Sequence, residues 1–248
     1  AIAMSASMLD RVAVVVMPSN APRVKLERTR ALLERAAPGS RVVEYDPLTT
    51  VREELGAQIA TDEGLEIIPP YDDVRVIAGQ GTAGLELIED ARAHNGDAPM
   101  DLMLVCCGGG GLLSGCAIAT NSLSPRTRVI GVEPALADDA ARSFRAGVLH
   151  TVDQSQTIAD GARTPYLGRL TFPLVMEHVD DIITVTEDES ISATRRAALD
   201  LKLVVEPSGA LALAGLLGMD VRGLNVGVVI SGGNIDPAVL GEICGLDR

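Results

Sequence analysis

Four consecutive glycines, Gly108-Gly109-Gly110-Gly111, follow the apolar run DLMLVCC at 101–107. Glycine loses more backbone freedom on folding than any other residue, so four in a row need a physical reason. An anion is one. Without Cβ atoms, successive N–H groups can turn toward a single phosphate. A helix starting near Leu112 adds its positive N-terminal end, and Ser114 a hydroxyl. A flexible turn is the competing reading. The position, at the carboxyl end of a strand and before a helix, favours the phosphate. The run is neither a P-loop nor a dinucleotide fingerprint: no Lys-Ser/Thr follows, and no acidic residue stands where a ribose would need it.

Other residues bear on chemistry. GVEPALADDA at 131–140 gathers carboxylates. They suit a hard, oxygen-bound cation or an acidic surface loop with a helix N-cap at Asp138 or Asp139, and the acidic pattern alone leaves the two level. Glu206 stands at a helix start, where the dipole favours a carboxylate. Cys106, Cys107, Cys116 and Cys244 lack metal-ligand spacing and read as buried free thiols. His150 and His178 have no partner pattern and read as solvated. The lysines are Lys25 and Lys202.

The elements that must position these residues alternate. Residues 12–17 read as a buried strand, 22–36 as a helix, 41–45 as a second strand and 50–62 as a second helix. LEIIPPYDD at 65–73 reads as a short strand running into a proline turn. A second series follows: a helix at 79–95 containing the glycines of GQGTAG, a strand at 101–107, a helix at 112–121 and a strand at 127–134. ALADDAARSFRAG leads from a loop into a helix. Residues 180–187 read as a strand, 188–201 and 207–217 as helices, and 225–234 as the last strand, ending in SGGN. This alternation predicts an α/β fold with doubly wound, mostly parallel sheets, and ligands beyond the carboxyl ends of the strands.

Composition agrees. The apolar fraction is 47% but aromatics are only 2%, so the core is built from Ala, Val, Leu and Ile, which suits buried parallel strands. The net charge of -13 repels phosphate backbones and argues against nucleic-acid binding. No apolar stretch reaches the ~18 residues of a membrane span, and no signal peptide is visible. The expectation is a cytoplasmic protein with no membrane partner.

Several strings also occur together, in order: MPSNAPRVKLERTRAL (17–32), IPPYDDVRVIAGQGTAGLE (68–86), VCCGGGGLLSG (105–115), GVEPALADDA (131–140), QTIADGARTP (156–165), LTFPLVMEHVDDIITVTEDE (170–189), KLVVEPSGALALA (202–214) and ISGGNID (230–236). The set resembles the fold-type-II pyridoxal-phosphate (PLP) enzymes: serine/threonine dehydratases, serine racemases and hydroxyaspartate dehydratases. The resemblance covers nearly all of the chain. It implies a tryptophan synthase β-like fold, with 1–78 as the remainder of a small substrate-side domain and 79–248 as the large PLP-binding domain. It implies that Gly108, Gly109, Gly110, Gly111 and Leu112 cradle the PLP phosphate and that Ser231 hydrogen-bonds the pyridine nitrogen. Asn234 and the stretch around Asp160-Gly161 would line the cofactor, and Glu206 would stand near its face. Glu133 and Asp139, with the Ala137 carbonyl, would hold a divalent cation: Mg, Mn or Ca.

The activity implied is an ammonia-lyase acting on L-threonine, L-serine or 3-hydroxyaspartate, giving a 2-oxo acid and ammonia. A neutral Ser231 partner makes the cofactor a weaker electron sink than an Asp would, which suits β-elimination. The alternatives are an amino-acid racemase of the same family and a non-catalytic PLP-binding relative. The family needs a Schiff-base lysine, and Lys25 and Lys202 both fall in its non-catalytic patterns. The lysine-bearing segment and an SGNH-like loop normally precede the point matched by AIAMSASML at 1–9. The expectation is therefore an N-terminally truncated chain, inactive by itself. Arg163 is a candidate for meeting a second substrate carboxylate. The partners expected are a small amino-acid substrate and a second copy in a homodimer.

Overall fold

The computed structural model describes residues 1–96, 98–153 and 156–245. The chain divides between Ile68 and Pro69 into two compact units.

The first unit runs α1 (Ile2–Leu9), β1 (Val14–Pro18), α2 (Arg23–Leu33), β2 (Arg41–Tyr45) and α3 (Arg52–Glu63). β1 and β2 pair in parallel, Val14 opposite Arg41 and Pro18 opposite Tyr45, with α2 as the crossover. Helix α3 stops at Gly64, whose φ of 66° closes the helix end in the left-handed region. The strand expected in LEIIPP does not form. Pro69 and Pro70 remove two ladder donors and fix φ, and Ile67 and Ile68 stay exposed.

The second unit begins with the proline turn. Asp73 caps α4 (Val74–His94), its carboxylate accepting the N–H groups of Arg75 and Val76. This cap starts the helix five residues ahead of the expected 79. Next come β3 (Leu102–Cys106), α5 (Gly111–Leu123), β4 (Arg128–Pro134) and α6 (Asp139–Ala146). After a 3-10 turn at Asp160–Ala162 come α7 (Thr171–His178), β5 (Asp181–Val185), α8 (Glu187–Leu199), α9 (Pro207–Leu217), β6 (Val226–Val228) and α10 (Pro237–Cys244). Helices α7 and α10 were not expected. Pro173 sits in the first turn of α7, where its missing N–H has no intrahelical partner anyway. Asp236 caps α10 ahead of Pro237, a start signal that the sequence carries.

The four strands are parallel in the order β5-β4-β3-β6. Period-two alternation gives the sheet two buried faces. Met103, Val105, Val129 and Ile182 pack with Ile88 of α4, Leu113 of α5, Ala140 of α6 and Val175 of α7. Leu102, Leu104, Ile130 and Val132 pack with Ala193 of α8 and Leu211 of α9. Helices cover both faces, as a doubly wound sheet requires. The glycines of GQGTAG have a packing role. A methyl added at Gly84 would lie 2.9 Å from Cys116 Cα, and one at Gly115 would lie 2.6 Å from Gly81 N. Helices α4 and α5 therefore lie backbone to backbone, which fixes the helix that the glycine run opens. No helix among the described residues is long and apolar enough to cross a membrane.

Candidate functional site

From β3 the chain winds outward through β4 to β5, then returns to place β6 on the far side of β3. In open parallel sheets, ligands bind outside the carboxyl ends of the strands at such a reversal. Here those ends carry Cys106 to Gly111 on one side and Ser231 on the other. They meet: Cys106 Sγ and Ser231 Oγ are 3.5 Å apart.

The glycine run fits an anion. Gly110, at φ 88°, precedes the first turn of α5. Among the described residues, the N–H groups of Gly108 to Leu112 donate to no protein acceptor. They form a nest at a helix N-terminus, the arrangement that holds phosphate. The loop is also walled in. A methyl on Gly108 would lie 3.1 Å from Ala162 Cα, one on Gly110 2.9 Å from Thr171 Cβ and one on Gly111 3.0 Å from Tyr71 Cβ. A methyl on Gly109 would collide with the Tyr71 ring. Ser114 is directed elsewhere. It is fully buried and its hydroxyl faces the Thr171 carbonyl oxygen at 3.5 Å.

Around the end of β6 the structure gathers Ser231, Glu206 and Gly161. Glu206 is nearly buried at the start of α9, and its N–H donates to Gly232 O at 2.9 Å. A methyl on Gly232 would lie 2.9 Å from the Glu206 carboxyl carbon, so this glycine leaves room for the carboxylate. Gly161 N–H donates to Ser208 Oγ at 2.8 Å, tying the 3-10 turn to α9. Sequence reasoning missed Ser208, although EPSGA places a hydroxyl in the first turn of a helix. Asn234 lies exposed, three residues beyond Ser231. Arg163 donates its Nε to Thr157 O at 2.8 Å, which holds the guanidinium on its own loop. Lys202 is exposed and donates to Leu199 O at 2.6 Å.

A second cluster stands at the end of β4. Glu133, on the strand, and Asp139, opening α6, are both 1% exposed, and Ala137 is fully buried. A solvated acidic loop is thereby excluded. Asp138 makes no side-chain cap bond and pairs with Arg142 at 2.8 Å. Glu133 accepts Ala140 N–H at 3.0 Å and Ala141 N–H at 2.9 Å. Among the described residues neither carboxylate oxygen of Asp139 has a hydrogen-bond partner. Burial, then the Asp139 charge, pushes Glu133 up to about 9. Burial, with Asp138 adding to it, pushes Asp139 up to about 7. Two buried carboxylates, one with both oxygens unsatisfied, are costly without a positive charge beside them. Among the described residues no group of three or more His, Cys, Asp or Glu gathers for a metal, so a backbone oxygen such as that of Ala137 would have to complete a site here.

Fold and site together define a class: a parallel α/β protein with a nest of glycine N–H groups at a helix start beside the reversal of its sheet. The family within that class follows from comparison. The profile of the family described as pyridoxal-phosphate dependent enzyme matches residues 1–232, and the chain belongs to this family. It is 44% identical to an L-threo-3-hydroxyaspartate ammonia-lyase of Pseudomonas sp, over 95% of this chain and 70% of the relative. It is 43% identical to the serine racemase of Schizosaccharomyces pombe, over the same shares. Among solved structures, the threonine deaminase of T.th. superposes with a TM-score of 0.81 at 42% identity, covering 95% of this chain and 73% of that one.

Proposed function

We propose that this chain serves a PLP-dependent ammonia-lyase that eliminates the β-hydroxyl of a 3-hydroxy amino acid, leaving a 2-oxo acid and ammonia. L-Serine, L-threonine and 3-hydroxyaspartate are the candidate substrates. The observation that carries the reading is Ser231, three residues beyond β6, in contact with Cys106 at the end of β3: a neutral hydroxyl stands there and not a carboxylate. PLP, when bound, supplies an electron sink for negative charge at the amino acid's α-carbon. The N–H groups of Gly108 to Leu112 hold its phosphate, and the Ser231 hydroxyl meets its ring nitrogen without adding a charge. Asp160, Gly161 and Asn234 line the site, and Glu206 holds a carboxylate near it. The Pro69–Arg248 unit is thus the cofactor-binding one. Glu133, Asp139 and the Ala137 carbonyl hold Mg, Mn or Ca, whose charge offsets that of the two buried carboxylates. A racemase is the second reading, favoured by the serine racemase relative.

Neither lysine of these 248 residues is placed by this reading at the reacting carbon, so the polypeptide alone is expected to lack turnover. The test uses the natural protein, its N-terminus sequenced, with PLP and each of the three substrates. Release of 2-oxo acid from at least one supports the lyase. Protein that binds PLP yet releases none from any of them overturns it, and D-serine formed from L-serine without 2-oxo acid selects the racemase.

A further inference from the structure

The glycine run has a weakness that its neighbours address. A peptide flanked by glycines on both sides turns over at little steric cost, because neither residue is confined to negative φ. If the Gly109–Gly110 peptide flipped, it would present a carbonyl oxygen where the nest presents an N–H, and an oxygen repels phosphate. Something must hold that peptide.

Thr171, the first residue of α7, is fully buried. Its hydroxyl donates to Gly109 O at 2.7 Å and accepts Gly168 N–H at 2.7 Å. Among the described residues every peptide is trans, and in a trans peptide the carbonyl and the following N–H point in opposite directions. Fixing Gly109 O toward Thr171 therefore aims Gly110 N–H away from α7. Thr171 is itself held. The Asp72 carboxylate accepts Arg169 N–H at 2.9 Å, Leu170 N–H at 2.8 Å and Thr171 N–H at 3.2 Å. Tyr71, next to it, lies against Gly109 and Gly111. The loop before α4 thus clamps the start of α7, and the start of α7 pins the glycine run.

We propose that Thr171 is a positioning residue for the phosphate cradle, keeping the Gly109–Gly110 peptide in its anion-binding orientation, with Asp72 as the anchor of Thr171. This rests on the reading of Gly108 to Leu112 as the phosphate site.

The test compares pyridoxine 5′-phosphate with pyridoxine, which share a ring, differ by the phosphate and lack the aldehyde that would react with lysines. Fluorescence titration of the 248-residue chain gives the ratio of the two affinities. The wild type is expected to prefer the phosphorylated ligand by about tenfold or more. Thr171→Val removes the hydroxyl at nearly constant volume and is expected to lower that ratio about five- to tenfold, the worth of roughly one hydrogen bond. The pyridoxine affinity itself should change less than about twofold, and Thr171→Ser should restore the ratio. A purely structural role would weaken both ligands together. A wild type with no preference refutes the phosphate cradle itself. A wild-type preference that survives intact in Thr171→Val refutes the role given to Thr171. If Thr171→Val loses its native circular dichroism, the ratio is read in Asp72→Ala, which releases residues 169–171 without touching the glycine run. There a fall supports the proposal and an unchanged ratio overturns it.

Discussion

Gly115 offers a sharp test of how the cradle is positioned. It lies on α5 facing α4, and a methyl there would sit 2.6 Å from Gly81 N and 2.9 Å from Gly81 Cα, and nearer still to the Ile77 carbonyl oxygen. All three are backbone atoms, so no change of rotamer relieves the clash. Ordinary carbon contacts lie at about 3.5–4 Å, so the helices must part by roughly 1 Å, and a gap of that size forfeits a quarter to a half of each contact's attraction. The interface concerned includes Gly84 against Cys116 and buries Ile77, Ile88 and Ala117. Overpacking of this kind costs about 1–3 kcal/mol, against a gain of about 1 kcal/mol from the better helix propensity of alanine. Because the clash is backbone on backbone, the upper end of the cost applies, and Gly115→Ala is expected to lose about 2 kcal/mol net. Gly79→Ala on α4 is the control. A methyl there meets nothing within 4 Å, so propensity alone acts and the variant gains up to about 1 kcal/mol. Urea unfolding followed by circular dichroism reads both as shifts in midpoint at constant slope. A Gly115→Ala chain as stable as wild type would refute the close-approach argument. The variant should also bind pyridoxine 5′-phosphate more weakly, because α5 carries Gly111 and Leu112 at its start.

Two further predictions concern the carboxylate pair and the lysines. Glu133 and Asp139 have folded values near 9 and 7, above the ordinary 4.5 and 3.8; they hold protons that the unfolded chain gives up. The cation-free protein should therefore lose stability as pH rises between about 5 and 9. Mg or Ca at millimolar level should raise the melting temperature more at the alkaline end, and Asp139→Asn should abolish that response. An equal cation effect at both ends of the range, or none, removes the site. Borohydride reduction of the 248-residue chain with PLP should give no stoichiometric cofactor adduct on Lys25 or Lys202, and incubation with L-serine no 2-oxo acid above background. A single, fully modified lysine in the peptide map would overturn this.

The alternation of elements and the two loaded strand ends were legible because each has a local cause. Buried parallel strands read as continuous β-branched runs, and glycines at their ends cannot be explained by propensity. The strand order was not legible, since nothing local says that β6 returns to the far side of β3, yet that return brings Ser231 to Cys106. Thr171, Asp72 and Ser208 escaped because their work is done across gaps of 62, 99 and 47 residues. A threonine at a helix start looks like any other until its partner is known. The acidic loop was ambiguous for a similar reason. GVEPALADDA has the composition of a solvated turn, and only tertiary burial of Glu133 and Asp139 separates the two readings.

The adjacent cysteines join the two clusters. Successive residues of an extended chain face opposite ways, and Cys107 continues the ladder one step past β3 by donating to Val132 O at 2.8 Å. Cys106 accordingly meets Ser231, with the Glu206 charge among the influences on its thiol. Cys107 packs with Ala140 and Ala141 of α6 and feels the charges of Glu133 and Asp139. Adjacent residues thus face Ser231 and the carboxylate pair, on opposite sides of the same strand end. Burial raises both thiols above their ordinary range, Cys107 the more strongly, because two carboxylates add to the effect. Raised thiols carry little thiolate and react slowly. Brief alkylation of the native chain near neutral pH, mapped by mass spectrometry, should leave the buried Cys107 unmodified and the half-buried Cys106 slow to react, and unfolding should expose both. Rapid modification of Cys107 in the native protein would mean that it does not lie beside two buried carboxylates, and Ser231 and the carboxylate pair would not share this strand end.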